Sequence, residues 1–384
     1  MKKFAVEGAD VLTPTGWVKD ACVVIENGKF LSIDHTCSQK ISTVVAKGLL
    51  MLPGIVDIHG DSFERAIAPR PGVRFPLDMA ILENDRNLIA AGITTFFYSI
   101  TDSYEPGLRS RDTARGIIDF VLGEGKESLK TDSRIHIRHE QANTDKYDEL
   151  CDWLKQGKVQ LLSLNDHLPP AGDDYKLNRH LNSLRRRHKM SDAELKELIE
   201  TAIANKAEGL KQIEELVTLA HKHKIAIASH DDDTEAKVEL SAKRGISIAE
   251  FPATIELAAQ SRDYSASVLM GAPNLIRGGS HVGWMSVEAA AKAGVVDCLC
   301  SDYHYPSLFH APFKLVQMGI MDFEQAWKLV STYPAKAAGI GNTKGSIDYG
   351  LDADFLLIEA DDTYASAINS VYIRGKEVTR YERF

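Results

Sequence analysis

Eight short apolar runs punctuate the middle of this chain, at residues 49–58, 92–99, 133–140, 159–167, 224–230, 245–251, 267–271 and 296–302. Each is bounded by polar turn residues and separated from the next by sequence with helical spacing, such as Asn87-Leu88-Ile89-Ala90-Ala91. Runs that stay apolar instead of alternating with polar residues are strands buried on both faces. Buried strands that alternate with helices make a parallel sheet, and eight of them close into a (β/α)8 barrel of the TIM type. The two chain ends read differently. Residues 1–51 and 343–384 alternate apolar and polar positions in short pieces, with turns at Thr13-Pro14-Thr15-Gly16 and at the hairpin pair Asn27-Gly28. They are expected to pair into one small, discontinuous β-sandwich flanking a catalytic barrel at 52–342.

One stretch breaks the barrel rhythm. About 168–222 is longer than a crossover helix needs, and Ser191-Asp192-Ala193-Glu194 is a capping box in front of Leu195, Leu198, Ile199 and Ala202 at helical spacing. Before it stand Arg179, His180, Arg185, Arg186, Arg187 and His188. The segment is either a solvated helical excursion or a lid that carries basic groups to an anionic substrate.

The chemistry is concentrated at the strand ends. His59 and Asp61 close the first run two residues apart, so strand alternation points both the same way. A lone His-x-Asp is weak evidence, because a histidine capping a core strand is common. Four further runs end in Glu140, His167, His230 and Asp302, and a packed core has no reason to place metal-ligand types at five strand ends. In barrels of this class the carboxyl ends of the strands hold the active site. Nitrogen and carboxylate donors together suit a divalent metal, zinc first, with iron or manganese as alternatives. His136 shares the face of Glu140 but sits deeper, and His139 faces the helices, so neither is assigned. Asp166 and Asp231 adjoin ligands and suit hydrogen-bonding partners. Cys298 and Cys300 read as barrel core.

Two loops suit anions. Arg277-Gly278-Gly279-Ser280-His281 follows the seventh strand, where backbone N–H groups exposed by glycine often hold phosphate, and Arg70 and Arg74 offer guanidinium groups on the loop after the first strand. The formal net charge of −9 excludes nucleic acid as the main partner while leaving room for a small anionic, phosphorylated substrate. Five cysteines without a C-x-x-C pair suit a reducing compartment. No run has signal-peptide or membrane-span length, so no membrane partner and a cytoplasmic location are expected. Assembly into a homo-oligomer is left open.

Together these residues resemble the amidohydrolase superfamily: Pro53-Gly54-Ile55-Val56-Asp57-Ile58-His59, the successive strand-end ligands and the closing Asp302 carry the likeness. The strings Ser163-Leu164-Asn165-Asp166-His167, Ala228-Ser229-His230-Asp231-Asp232, Ala249-Glu250-Phe251-Pro252, Met270-Gly271-Ala272-Pro273-Asn274, Arg277-Gly278-Gly279-Ser280-His281 and Ser301-Asp302-Tyr303 are similar to the phosphonate-metabolism protein M family of diphosphatases. That resemblance implies a metal-dependent hydrolase acting on α-D-ribose 1-methylphosphonate 5-triphosphate, releasing pyrophosphate. The family's first-strand motif is more often His-Thr-Asp-Asn, where this chain has His59-Gly60-Asp61-Ser62, and His304 is an extra residue. The ligands survive both changes, while an altered substrate remains open. His59, Asp61, Glu140, His167, His230 and Asp302 are expected to hold one or two ions, two being suggested by a donor count above the four of a closed zinc site. Asp302 is also the expected proton acceptor. The alternatives are a carbon–nitrogen hydrolase, a deacetylase or deaminase on the same metal frame, and last an inactive scaffold, which would be expected to have lost ligands.

Overall fold

The structure is a computed structural model that describes residues 3–36, 41–169, 172–279, 283–359 and 367–381. Eight parallel strands run in chain order around a barrel: Ile55–Gly60, Ile93–Asp102, Asp132–Glu140, Leu161–Asn165, Ala226–His230, Ile248–Glu250, Ser267–Gly271 and Cys298–Cys300. A parallel bridge between Gly60 and Asp302 joins the last to the first. Alternation sorts their side chains into two cores. Val56, Ile58, Phe97, Leu161, Ala228, Ile248, Leu269, Cys298 and Cys300 fill the barrel. Ile55, Phe96, Ile135, Ile137, Leu162, Ile227, Val268 and Leu299 face the helices. Both cysteines are free core residues, as expected.

The chain ends build a second sheet, in which Leu50–Pro53 lies between Phe4–Thr13 and Phe355–Glu359. Its own core holds Val6, Val11, Val23, Phe30, Met51, Ile347, Phe355, Leu357 and Tyr372. Lys344, 2% exposed, ties it to the barrel through Asp354 at 2.7 Å, Asp352 at 2.9 Å and Asp132 at 3.3 Å. Cys22 in this sheet is disulfide-bonded, which departs from the reading of the cysteines as those of a reducing compartment.

The insertion is two helices, Asp174–Arg187 and Asp192–Lys222. Ser191 forms the capping box with Glu194. Leu195 and Ile199 pack on Leu184, while Ile213, Leu216, Val217 and Ala220 face the barrel, so one 31-residue helix serves both insertion and crossover. Its basic groups meet the protein's own acids and acceptors. Arg187 lies 3.0 Å and His188 2.8 Å from Glu105, beyond the second barrel strand, and His180 meets the Tyr104 hydroxyl at 3.1 Å. Among the described residues, no helix is long and apolar enough to span a membrane.

Candidate functional site

The first strand delivers His59 and Asp61 to the barrel mouth through a break in register between Asp57 and Gly60. Glycine is required there, because a Cβ at Gly60 would stand 2.5 Å from the Phe96 ring and 2.7 Å from Ser301 Oγ. Backbone bonds Asp61 N to Asp302 O, 2.8 Å, and Asp302 N to His59 O, 2.9 Å, hold the first and last strand ends together. Three residues just past strand ends, Asp231, Phe251 and Asp302, have φ of 58°, 57° and 52°. Their N–H groups still pair with neighbouring strands while the chain turns away, and non-glycine left-handed backbone of this kind concentrates at functional sites.

At the centre stands Glu250, the end of the sixth strand and fully buried. Its Oε1 lies 2.8 Å from His59 Nδ1 and its Oε2 lies 3.0 Å from His230 Nδ1. Ser163 Oγ donates to Oε2 at 2.9 Å. An ionised carboxylate only accepts, so each imidazole donates Nδ1–H and keeps its lone pair on Nε2. The two rings are stacked, 5.6 Å apart and 10° from parallel. Burial alone would raise the Glu250 carboxyl, but His59, His136 and His230 around it hold it well below the usual range. Beside this group His167 bonds to Glu140; burial raises the Glu140 carboxyl, but the His167 charge, the hydrogen bonds from its ring and backbone, and the Arg138 charge together bring it down to about 2.

Asp302 is pushed the other way, up to about 6, by burial and by the neighbouring Asp61 charge. Arg138, 8% exposed, points inward from the third strand, with Nη1 3.1 Å from Asp61 Oδ2 and Nη2 3.3 Å from His230 Nε2. A cavity of about 210 Å³ opens above these groups. His59, Arg138, His230 and Asp302 line its floor, and Phe251, Met270, Trp284, Met285 and Tyr303 contribute apolar wall.

A match of this kind of site to known proteins is decided by sequence. The amidohydrolase family profile matches residues 50–378. The chain belongs to the amidohydrolase family. It is 31% identical to the α-D-ribose 1-methylphosphonate 5-triphosphate diphosphatase of Escherichia coli (strain K12) over 359 residues, which is 92% of this chain and 94% of that one. Solved amidohydrolase-type folds align over nearly the whole length. A prolidase complexed with N-methylphosphonate-L-proline covers 99% of this chain and 100% of its own at 13% identity and a TM-score of 0.65. The dihydropyrimidinase of Brevibacillus agri covers 98% and 95% at 14% identity and a TM-score of 0.59.

Amidohydrolases are typically divalent-metal enzymes, and the donors here fit such an ion. Ligand atoms of His59, His230 and Glu250 lie within 4.8 Å of one another, as do those of His167, His230 and Asp231. The sets share His230 and contain nitrogen and carboxylate donors without thiolate, the chemistry of zinc, manganese or iron sites. All six residues expected as ligands are gathered at one end of the barrel. Sequence reasoning missed Glu250 and Arg138, although the alternation that turns Ile248 and Glu140 inward turns them inward too.

The expected anion loops depart from the reading. Gly278 and Gly279 follow the helix Ala272–Arg277, and their N–H groups bond to Leu275 O at 3.3 Å and Asn274 O at 2.9 Å. These donors cap the helix and are not presented to an anion, because a left-handed glycine after a helix satisfies its last carbonyls. Ser280 and His281 lie outside the described residues. Arg277 donates from Nη1 to the Tyr303 hydroxyl at 3.0 Å, which sets it at the cavity rim. Arg70 and Arg74 are exposed, do not line the cavity, and Arg74 bonds to Thr113 Oγ1 at 3.0 Å. Neither is therefore within the described site.

Proposed function

We propose that this chain is a metal-dependent diphosphatase that cleaves a phosphoanhydride, with α-D-ribose 1-methylphosphonate 5-triphosphate, or a close ribosyl triphosphate, as substrate. The reading is supported most by the 31% identity to the E. coli diphosphatase over nearly the full length of both chains. It also draws on the placement of His59, Asp61, Glu140, His167, His230 and Asp302 at the carboxyl ends of the barrel strands, where His59, His230 and Asp302 line one cavity. A divalent ion held by these residues supplies Lewis acidity, acidifying water and offsetting phosphate charge.

The protein's own groups then divide the work. Glu250 fixes the tautomer of His59 and His230 so that both present Nε2 as an acceptor. Asp302, with a carboxyl at about 6, is ionised at neutral pH and takes the proton of the attacking water. The water oxygen forms the new P–O bond, the bridging P–O bond breaks, and pyrophosphate leaves with the electron pair. Arg277, tethered to Tyr303, meets phosphate oxygens at the rim.

The test is release of pyrophosphate from a ribosyl triphosphate by wild type, His230→Ala and Asp302→Asn. His230→Ala is expected to lose metal and activity together, and Asp302→Asn to keep metal while turnover falls about a hundredfold or more. Undiminished turnover in both variants would refute the assignment.

A further inference from the structure

We propose that Arg138 is the group that grips phosphoryl oxygens at the cavity floor, and that metal loading is what frees it to do so. The inference rests on the diphosphatase reading and adds a residue and an order of events to it. Arg138 is the one arginine or lysine among the described residues lining the cavity. Its guanidinium holds two acceptors, the Asp61 carboxylate at 3.1 Å and His230 Nε2 at 3.3 Å, while its buried Nε has no partner. Because Glu250 takes the Nδ1–H of His230, the atom facing Arg138 is a lone pair. That lone pair and the Asp61 carboxylate are also what a cation at this site would use.

Guanidinium and metal therefore compete for the same two partners. A metal that takes them leaves a donor-only, charged group, buried on every side but the cavity, with water as its remaining acceptor, which is unfavourable. A phosphoryl group supplies paired oxygens in the geometry of the guanidinium fork and restores what was lost. Metal and phosphate should then bind cooperatively, each raising the other's affinity by the same factor.

The competition gives the test an unusual sign. In full-length Arg138→Met, Mn2+ affinity without phosphate, read by electron paramagnetic resonance, should rise about threefold to tenfold, since a competing cation is gone. The affinity of Mn2+-loaded protein for inorganic phosphate, read by calorimetry, should fall about tenfold to a hundredfold. Arg138→Lys keeps the charge without the fork and should lower phosphate affinity about tenfold, which carries the test should Arg138→Met fail to fold. A residue that merely orients Asp61 and His230 would lose metal affinity on substitution. A fall in Mn2+ affinity in Arg138→Met, or unchanged phosphate affinity in either variant, overturns the proposal alone. A wild type that binds no phosphate and hydrolyses an amide overturns the diphosphatase reading as well.

Discussion

Replacing Glu250 by Gln keeps the shape of the side chain and removes one acceptor and the charge. In the wild type both oxygens accept, from His59 Nδ1 at 2.8 Å and His230 Nδ1 at 3.0 Å, in a place with no solvent to substitute. The amide has one oxygen and one NH2. Whichever way it turns, its NH2 opposes an Nδ1–H, and one imidazole must reverse its tautomer and place N–H instead of a lone pair on Nε2. Each charge-assisted bond is worth about 1.5–3 kcal/mol, and loss of one outer partner of a ligating histidine typically costs tenfold to a hundredfold in metal affinity, roughly 1.4–2.7 kcal/mol. With two rings depending on one carboxylate, metal affinity should fall about a hundredfold or more. Competition with a chromophoric chelator measures that loss, and imidazole 15N shifts of the metal-free protein report the tautomer. Metal affinity within about threefold of wild type, with both rings still protonated on Nδ1, would refute the reasoning.

Asp302→Asn should stabilise the metal-free protein as it removes activity. The Asp302 carboxyl is raised from 3.8 to about 6, so its contribution to stability is full below the unfolded value and is lost as pH rises through about 6, by up to roughly 3 kcal/mol. Urea unfolding should find the variant more stable than wild type at pH 8 and equal to it below pH 4. Glu105 titrates in the opposite sense: burial raises it, but the bonds from His188 and Arg187 bring it to about 2. Its contribution is present above the unfolded value near 4.5 and lost as pH falls toward about 2, so Glu105→Gln should cost about 2–3 kcal/mol at pH 7 and progressively less below pH 4 in the same assay. Arg277→Ala should lower kcat/KM for a ribosyl triphosphate about tenfold or more with metal content unchanged, and an unchanged kcat/KM would remove Arg277 from the substrate's path.

The barrel was legible because its strands are buried on both faces and stop at polar residues, which is a pattern of composition alone. The polar side chains at the strand ends were legible for the same reason, since His167 and Asp302 each stand two residues past a barrel strand. Glu250 escaped notice because its strand is three residues long and Ala249 and Phe251 hide it among apolar neighbours. Arg138 escaped because its type does not ligate metals, though Glu140 two residues on fixes its direction. The glycine pair was misread because the same Gly-Gly can present N–H groups to an anion or to the carbonyls of the helix before it. Only the placement of Asn274 and Leu275 decides between them. Arg70 and Arg74 failed for a related reason, as a loop sequence does not say which way it leaves the barrel.

The central claim is that this metal frame acts on a phosphoanhydride. Metal-loaded protein incubated with ribosyl and nucleoside triphosphates beside a panel of amides and amines, followed by 31P resonance and by an ammonia or amine assay, tests it most directly. The account predicts pyrophosphate from a ribosyl triphosphate at a kcat/KM far above any carbon–nitrogen substrate. Release of ammonia or amine without pyrophosphate from any triphosphate would contradict it.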